Sequence, residues 1–326
     1  MPNIVFVSNN KAHWVNGVSS TTAGTFDSTR VPYAIELAEQ EVMTSPVFTP
    51  VAGDDTWMHF RMFMDSIENN GFFTFFKAFD VSGNLLFVMS KKVPSVAYTV
   101  TLTHYNGAGG SETAEQTIPF NRNRVNNVDI KVEMTGVLMA VHMYVNGGLA
   151  ITNSIASNPA SWGAPAYFTV GCAFSDLVTD TMNFSEFIVA DVDTRNARMS
   201  LVRPTATGGE ADWIGPAANL SDDDPASGIT TTAANARHTL DLAAYGGASN
   251  ISAVMVASQS LAGANGPQNM RHTVRMSAVN YDSTADILLG ATLSYELTQF
   301  DINPATSLPW VGGDLATMEM GFISKA

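Results

Sequence analysis

Between Arg30 and Asp191 the chain is a succession of short runs rich in Val, Ile, Thr and aromatic residues, broken at fairly even intervals by Gly, Pro, Asn and Ser. That punctuation is the pattern of an antiparallel sandwich or barrel. It predicts strands over 31–38, 56–65, 72–80, 85–90, 97–104, 127–134, 138–145, 150–154, 167–174 and 182–190. Alternation is clearest in 57–64, where Met58, Phe60, Met62 and Met64 form an apolar face opposite Trp57, His59, Arg61 and Phe63. A two-residue period turns those four residues toward the core. Two hairpins are marked by their turns, Ser82-Gly83-Asn84 and Asn146-Gly147-Gly148. Asn-Gly is favoured where a tight turn needs positive φ.

After Asp191 the pattern changes. Residues 192–236 carry clusters of Pro, Gly, Asp and Ser and read as an irregular linker. Strand-like runs return at 238–243, 251–258, 270–278 and 287–300, and residues 199–203 are placed to join their sheet. The expected domains are therefore 30–191, a β-sandwich, and 237–326, a small C-terminal β domain. Residues 1–29 read either as an arm that packs on a neighbouring subunit or as a peripheral strand of the same domain. Helix is scarce, with Leu315–Met320 the best short candidate.

In 138–154 a hydrophobic strand, Val145-Asn146-Gly147 and a second hydrophobic strand follow one another, and a late strand at 184–190 is placed to return beside the first. Over residues 30–191 this resembles concanavalin A-like (laminin G-like) jelly rolls. The resemblance implies an all-β fold, a jelly-roll sandwich followed by a smaller β domain, and no particular activity.

A second resemblance rests on Phe184 to Trp213, FSEFIVADVDTRNARMSLVRPTATGGEADW. It is similar to a junction in tailed-bacteriophage virion proteins, where a strand ending in IVAD-x-DTR leads to a basic segment, a Pro-Thr/Asn-Gly turn and a Trp. The ending resembles the same proteins: Asn303-Pro304-Ala305-Thr306, then Trp310, then 315–322, with Tyr281-Asp282-Ser283 before the last long strand. The likeness spans 184–326. It implies a non-enzymatic structural protein of the virion, assembled in the bacterial host cytoplasm. Such a protein forms an external appendage such as a tail fibre, spike, collar or head decoration. Its partners would be other virion proteins, further copies of itself and a host cell-surface glycan.

Composition narrows the alternatives. With 16 Lys+Arg against 30 Asp+Glu the net charge is −14, and no basic cluster is present. Nucleic-acid binding is not expected, because it needs grouped cations to displace counterions from phosphate. Only 14% of residues are charged, which suits neutral polar surfaces packed in an assembly. The single cysteine, Cys172, has no intrachain partner and reads as a small buried hydrophobe. No signal-peptide pattern opens the chain and no run approaches ~18–20 apolar residues, so neither export nor membrane insertion is expected.

Catalytic signatures are weak. Glu186, Asp191 and Asp193 lack the alternate-position spacing by which sandwich glycosidases aim two carboxylates into a cleft, and a regular strand would turn Glu186 and Asp191 to opposite faces. His13, His59, His104, His142, His238 and His272 are scattered singly, without metal-ligand spacing. Gly-x-Ser-x-Gly and phosphate-cradling glycine loops are absent. Asp222-Asp223-Asp224 reads as a solvated acidic loop, and no cofactor or metal is expected. Sugar recognition uses aromatic rings flanked by small amides. That chemistry occurs at Tyr105-Asn106-Gly107 and in Asn158 to Gly163, with Trp162 the leading candidate, whereas Trp57 and Trp213 read as structural. A glycan depolymerase would need two convergent carboxylates ~5–10 Å apart.

Overall fold

The computed structural model describes residues 3–15, 20–22, 26–38, 40–50, 55–64, 72–92, 98–105, 110–118, 120, 124–135, 138–155, 162–173, 181–221, 224, 226–246 and 251–326. The chain divides into two compact units, residues 2–199 and 200–326.

Among the described residues, the strands of the first unit are β1 (Ile4–Ser8), β2 (Ser20–Thr22), β3 (Ala34–Leu37), β4 (Val42–Thr44), β5 (Thr56–Met64), β6 (Phe72–Phe79), β7 (Leu85–Lys92), β8 (Tyr98–Tyr105), β9 (Ser111–Ile118), β10 (Val125–Thr135), β11 (Leu138–Val145), β12 (Gly148–Ile155), β13 (Tyr167–Ala173) and β14 (Met182–Ala190). They form an eight-stranded sheet in the order β12-β11-β10-β5-β14-β3-β2, with β1 also on β14, and a six-stranded sheet in the order β4-β13-β6-β7-β8-β9. The late strand does return beside the first, with Ile4 opposite Ala190. Residues 4–8 therefore complete the unit's own sheet.

The two sheets meet through aromatic rings, as an all-β jelly-roll sandwich. Phe60 on β5 stacks on Phe76 of β6 with centroids 5.8 Å apart, and Phe168 of β13 stacks on Phe187 of β14 at 6.1 Å. Met58, Phe60 and Met62 are buried as their alternation requires, while the side chain of Met64 lies outside the described residues. The turn Asn146-Gly147 has φ of 52° and 82°, the left-handed pair that a two-residue hairpin demands. At the other hairpin Asp80 accepts hydrogen bonds from the backbone N–H of Ser82 (2.9 Å) and of Asn84 (2.8 Å).

Strand β9, SETAEQTI, escapes the sequence pattern because it is an edge strand that faces solvent along nearly its whole length. With no core face to fill, it needs no apolar alternation.

The second unit contains β15 (Pro204–Ala211), β16 (Arg237–Leu242), β17 (Val254–Ser260), β18 (Asn269–Met276), β19 (Val279–Asp282), β20 (Ile287–Leu288), β21 (Ser294–Phe300) and β22 (Glu319–Lys325). Its main sheet runs β15-β16-β22-β18-β19, with β20 on β18, and β17 pairs with β21 as a separate ribbon. Three expectations are corrected here. Residues 204–211, read as linker, form a strand whose register slips twice against β16. The run 287–300 is two strands. The helix expected at 315–320 is a 3-10 turn at Gly312–Ala316, and Glu319–Lys325 is a strand between β16 and β18.

One face of this sheet is apolar. Val274, Met276 and Met318 pack with Val256 of the ribbon and with Trp310, whose indole N–H donates to the carbonyl of Phe300 at 2.7 Å. The opposite face is a lattice of ion pairs, in which Arg237 forks onto Asp282 (2.5 and 3.0 Å) and Arg275 pairs with Glu319. Gly208 and Gly209 cross over that second pair. A methyl on Gly208 would lie 2.3 Å from the Glu319 carboxylate, and one on Gly209 at 2.3 Å from the Arg275 guanidinium. The second register slip of β15, between Thr207 and Ala211, is the backbone's route over these side chains.

Two buried histidines make stability depend on pH. Burial, assisted by His142, pushes His104 down to about 4, and burial alone pushes His272 down to about 3. Between those values and the ordinary ~6.5, the unfolded chain binds protons that the folded chain refuses. Their stabilisation is therefore complete above ~6.5 and is lost as pH falls toward 4 and 3. The resolved carboxyl shifts, including Asp27, Glu186, Asp282 and Glu319, are all downward and add to the loss at lower pH. Melting temperature should be level from neutrality to pH ~9 and fall steadily below ~6.5. A stability maximum on the acid side, near pH 5, would contradict this assignment.

Candidate functional site

The strongest sugar-facing candidates belong to one end of the six-stranded sheet. Tyr167 begins β13 opposite Phe79, the end of β6, and the two rings stack with centroids 4.8 Å apart. Phe79 lies opposite Leu85 at the start of β7, and Phe87 lies opposite His104 near the end of β8. Tyr105, the last residue of β8, lies at that end, and Trp162 is brought to it by the next residue, Gly163, whose backbone N–H donates to Asp80 at the β6–β7 turn. Both are half-buried, so the full exposure that suits a displayed Trp is not what its loop provides. Asn106 and Asn158 lie outside the described residues.

What holds this end together is Asp80. Its carboxylate accepts the two turn amides already described, the side-chain amide of Asn84 (2.7 Å) and the backbone N–H of Gly163 (3.2 Å). One fully buried aspartate thus closes the β6–β7 turn and pins the Trp162-Gly163 loop to it. Asp-x-Ser-Gly-Asn, with an acid two residues before Ser-Gly, is the legible signal for such an Asx turn.

The junction segment forms the second constellation. In β14 the register shifts between Ser185 and Ile188, and Glu186 sits at φ 55°. Phe184 and Phe187, three residues apart, would point to opposite faces of a regular strand. The bulge lets both rings meet Phe60, at 5.9 and 5.8 Å, and turns Glu186 away from the core. The Glu186 side chain is 0% exposed and accepts from Arg61 (3.0 Å), from Arg198 through two nitrogens (both 2.8 Å) and from the Met199 backbone N–H (3.2 Å). Burial alone would raise its pKa, but the Arg198 and Arg61 guanidiniums outweigh that and hold the carboxyl below its usual range. Asp27 joins the network through Arg198 at 2.7 Å, and a Thr29 hydroxyl together with Arg198 brings it down to about 2.

Residues 191–199 lie as a strap along the outer face of the eight-stranded sheet. Asp191 accepts the backbone N–H of Asn3 at 2.7 Å. The Thr194 hydroxyl donates to Asp129 at 2.8 Å, and the same Asp129 oxygen lies 2.7 Å from His59 Nδ1, with both of those side chains fully buried. Arg195, forked onto Asp193, covers the stacked rings of Trp57 and Tyr144. Trp57 is thereby structural. So is Trp213, whose indole donates to the Ala236 carbonyl and whose ring lies against Phe322.

Each carboxylate of Glu186, Asp191 and Asp193 therefore has a partner of its own, and the three do not converge. Among the described residues no set of three His, Cys, Asp or Glu side chains could hold a metal ion, and no helix is long and apolar enough to cross a membrane. Asp222, Asp223 and the side chain of Cys172 lie outside the described residues.

No protein-family model and no curated protein matches the chain. Among solved structures it is similar to the receptor-binding domain of botulinum neurotoxin type G, at 13% identity and a TM-score of 0.37, over 54% of this chain and 44% of that one. It is also similar to the CBM2 module of the evolved Dit of Lactobacillus casei BL23 phage J-1, at 12% identity and a TM-score of 0.40, over 59% of this chain and 97% of that one. A third is an alginate lyase of Pseudomonas aeruginosa, at 14% identity and a TM-score of 0.39, over 52% of this chain and 87% of that one. The chain spans less than half the length of the botulinum domains it matches.

Proposed function

We propose that this chain is a non-enzymatic structural protein of a tailed-bacteriophage particle, an external appendage that packs on other virion proteins and presents sandwich loops to the host surface. The observation that carries the proposal is the junction. The residues on which its likeness to phage virion proteins rests, Asp191, Thr194 and Arg195, are those that fasten the strap to the sheet. A motif that ties the sandwich's own last segment down onto its sheet suits a protein whose work is mechanical. No catalytic step is assigned, because the acids of the junction are held in ion pairs and backbone hydrogen bonds. Purified chain added in excess should compete with particles for adsorption to host cells. Unaltered adsorption at saturating chain would contradict a host-facing role.

A carbohydrate-binding adhesin is the second reading, favoured by the aromatic end of the six-stranded sheet. Trp162→Ala should then weaken glycan binding by about 5- to 150-fold, the equivalent of ~1–3 kcal/mol of stacking. Melting temperature should stay near that of the parent. Unchanged binding with a clear loss of stability would make Trp162 a cover for the core and remove the best residue from this reading.

A further inference from the structure

On the six-stranded sheet, burial fixes which residues look into the core. Phe76 and Ala78 of β6, Phe168 and Val170 of β13 and Met43 of β4 are closed off from solvent. The residues between them therefore share the opposite face. Register sets Phe79 beside Tyr167 in one row, and Lys77, Thr169 and Thr44 side by side in the next. The rows lie two residues, or about 7 Å, apart along the strands, a spacing that one sugar residue spans.

The first row is apolar and rigid. The Phe79 and Tyr167 rings are parallel to within 5°, and the Tyr167 hydroxyl lies 3.6 Å from where a methyl on Gly83 would stand. The second row is a set of donors with nothing to hold. Arg61, Lys131, Arg195, Arg198, Arg237 and Arg275 each meet a carboxylate. Lys77 is half-buried, and among the described residues neither its ammonium nor the hydroxyls of Thr169 and Thr44 have a hydrogen-bond or ion-pair partner. A cation that gives up part of its water without a counter-ion is costly, so proteins ordinarily pair it. An anion brought by a ligand completes the row.

We infer that this face binds an acidic sugar, with its ring against Tyr167 and Phe79 and its carboxylate or phosphate on Lys77, where the Thr169 and Thr44 hydroxyls donate to the same group. Charge decides the class. A neutral sugar leaves the Lys77 ammonium as it stands, whereas an anion gains charge-assisted hydrogen bonds from it. A chain of net charge −14 also repels anions wherever no local cation meets them, which confines an acidic ligand to such a row. The inference rests on the adhesin reading and names the ligand for it.

Isothermal titration of the full chain with matched ligands tests it: oligogalacturonate against its methyl ester, and phosphomannan against the same mannan after phosphatase treatment. At least one acidic member should bind about tenfold or more tightly than its neutral counterpart, and the pair that shows the preference identifies carboxylate or phosphate as the group. Lys77→Met should abolish the preference while the neutral member's affinity and the melting temperature stay at the parent's values. Lys77→Arg should retain it. Added salt should weaken the acidic member alone. Equal binding of acidic and neutral members, or a preference that survives Lys77→Met, would overturn the inference and leave the adhesin reading standing. No binding to any of the four would overturn both.

Discussion

Phe60→Ala should destabilise the first unit by about 3–5 kcal/mol, the usual cost of emptying an aromatic core position. Phe60 has no exposed surface, and its ring meets Phe76 across the sandwich and Phe184 and Phe187 on the neighbouring strand. No small side-chain movement fills the space that four converging rings leave when one is removed. Phe63, on the opposite face of β5 and half-buried, provides the comparison, and Phe63→Ala should cost clearly less. In urea titrations the loss should appear as a lower midpoint with little change in slope. Equal midpoints for Phe60→Ala and the parent would remove Phe60 from the core.

The same alternation made the sandwich legible in the sequence. Strands such as β5, β11 and β14 bury an apolar face, and burial selects the residues that reveal them. Strands β9 and β15 stayed hidden for opposite reasons. Most of β9 faces solvent, and β15 is bent over an ion pair that only folding brings beneath it. The short helix expected at 315–320 overlaps only the first two residues of β22, in which Gly321 marks a close backbone approach, with the His238 carbonyl only 2.1 Å from where a methyl would stand. Trp162 and Tyr105 could be singled out by residue type, but the aspartate that holds the Trp162 loop is 83 residues from Gly163, the residue it bonds. Glu186 lacks the spacing of a catalytic pair in the sequence, and in the structure it is held by two guanidiniums. A lone acid inside the apolar run Phe184 to Ala190 signals a buried charge, yet its partners Arg61 and Arg198 come from distant segments.

Arg198→Ala should cost about 3–5 kcal/mol, because it leaves a fully buried carboxylate with one guanidinium in place of two. The exposed pair made by Asp193 and Arg195 sets the contrast. Asp193→Ala should stay within ~1 kcal/mol, the range of solvent-screened ion pairs. The sign of the pH dependence is also fixed. Glu186 is held below its ordinary pKa, so its contribution is present above ~4.3 and disappears as pH falls and the carboxyl takes up its proton. The gap between Arg198→Ala and the parent should therefore narrow on acidification. A gap that widened would mean that Arg198 acts through something other than Glu186.

The particle itself supplies the most direct measurement of the proposed role. Quantitative mass spectrometry of gradient-purified virions should find this chain at a copy number that is a multiple of a rotational symmetry of the particle, as expected of an appendage at symmetric positions. A chain abundant in the infected lysate but absent from purified particles would contradict the assignment.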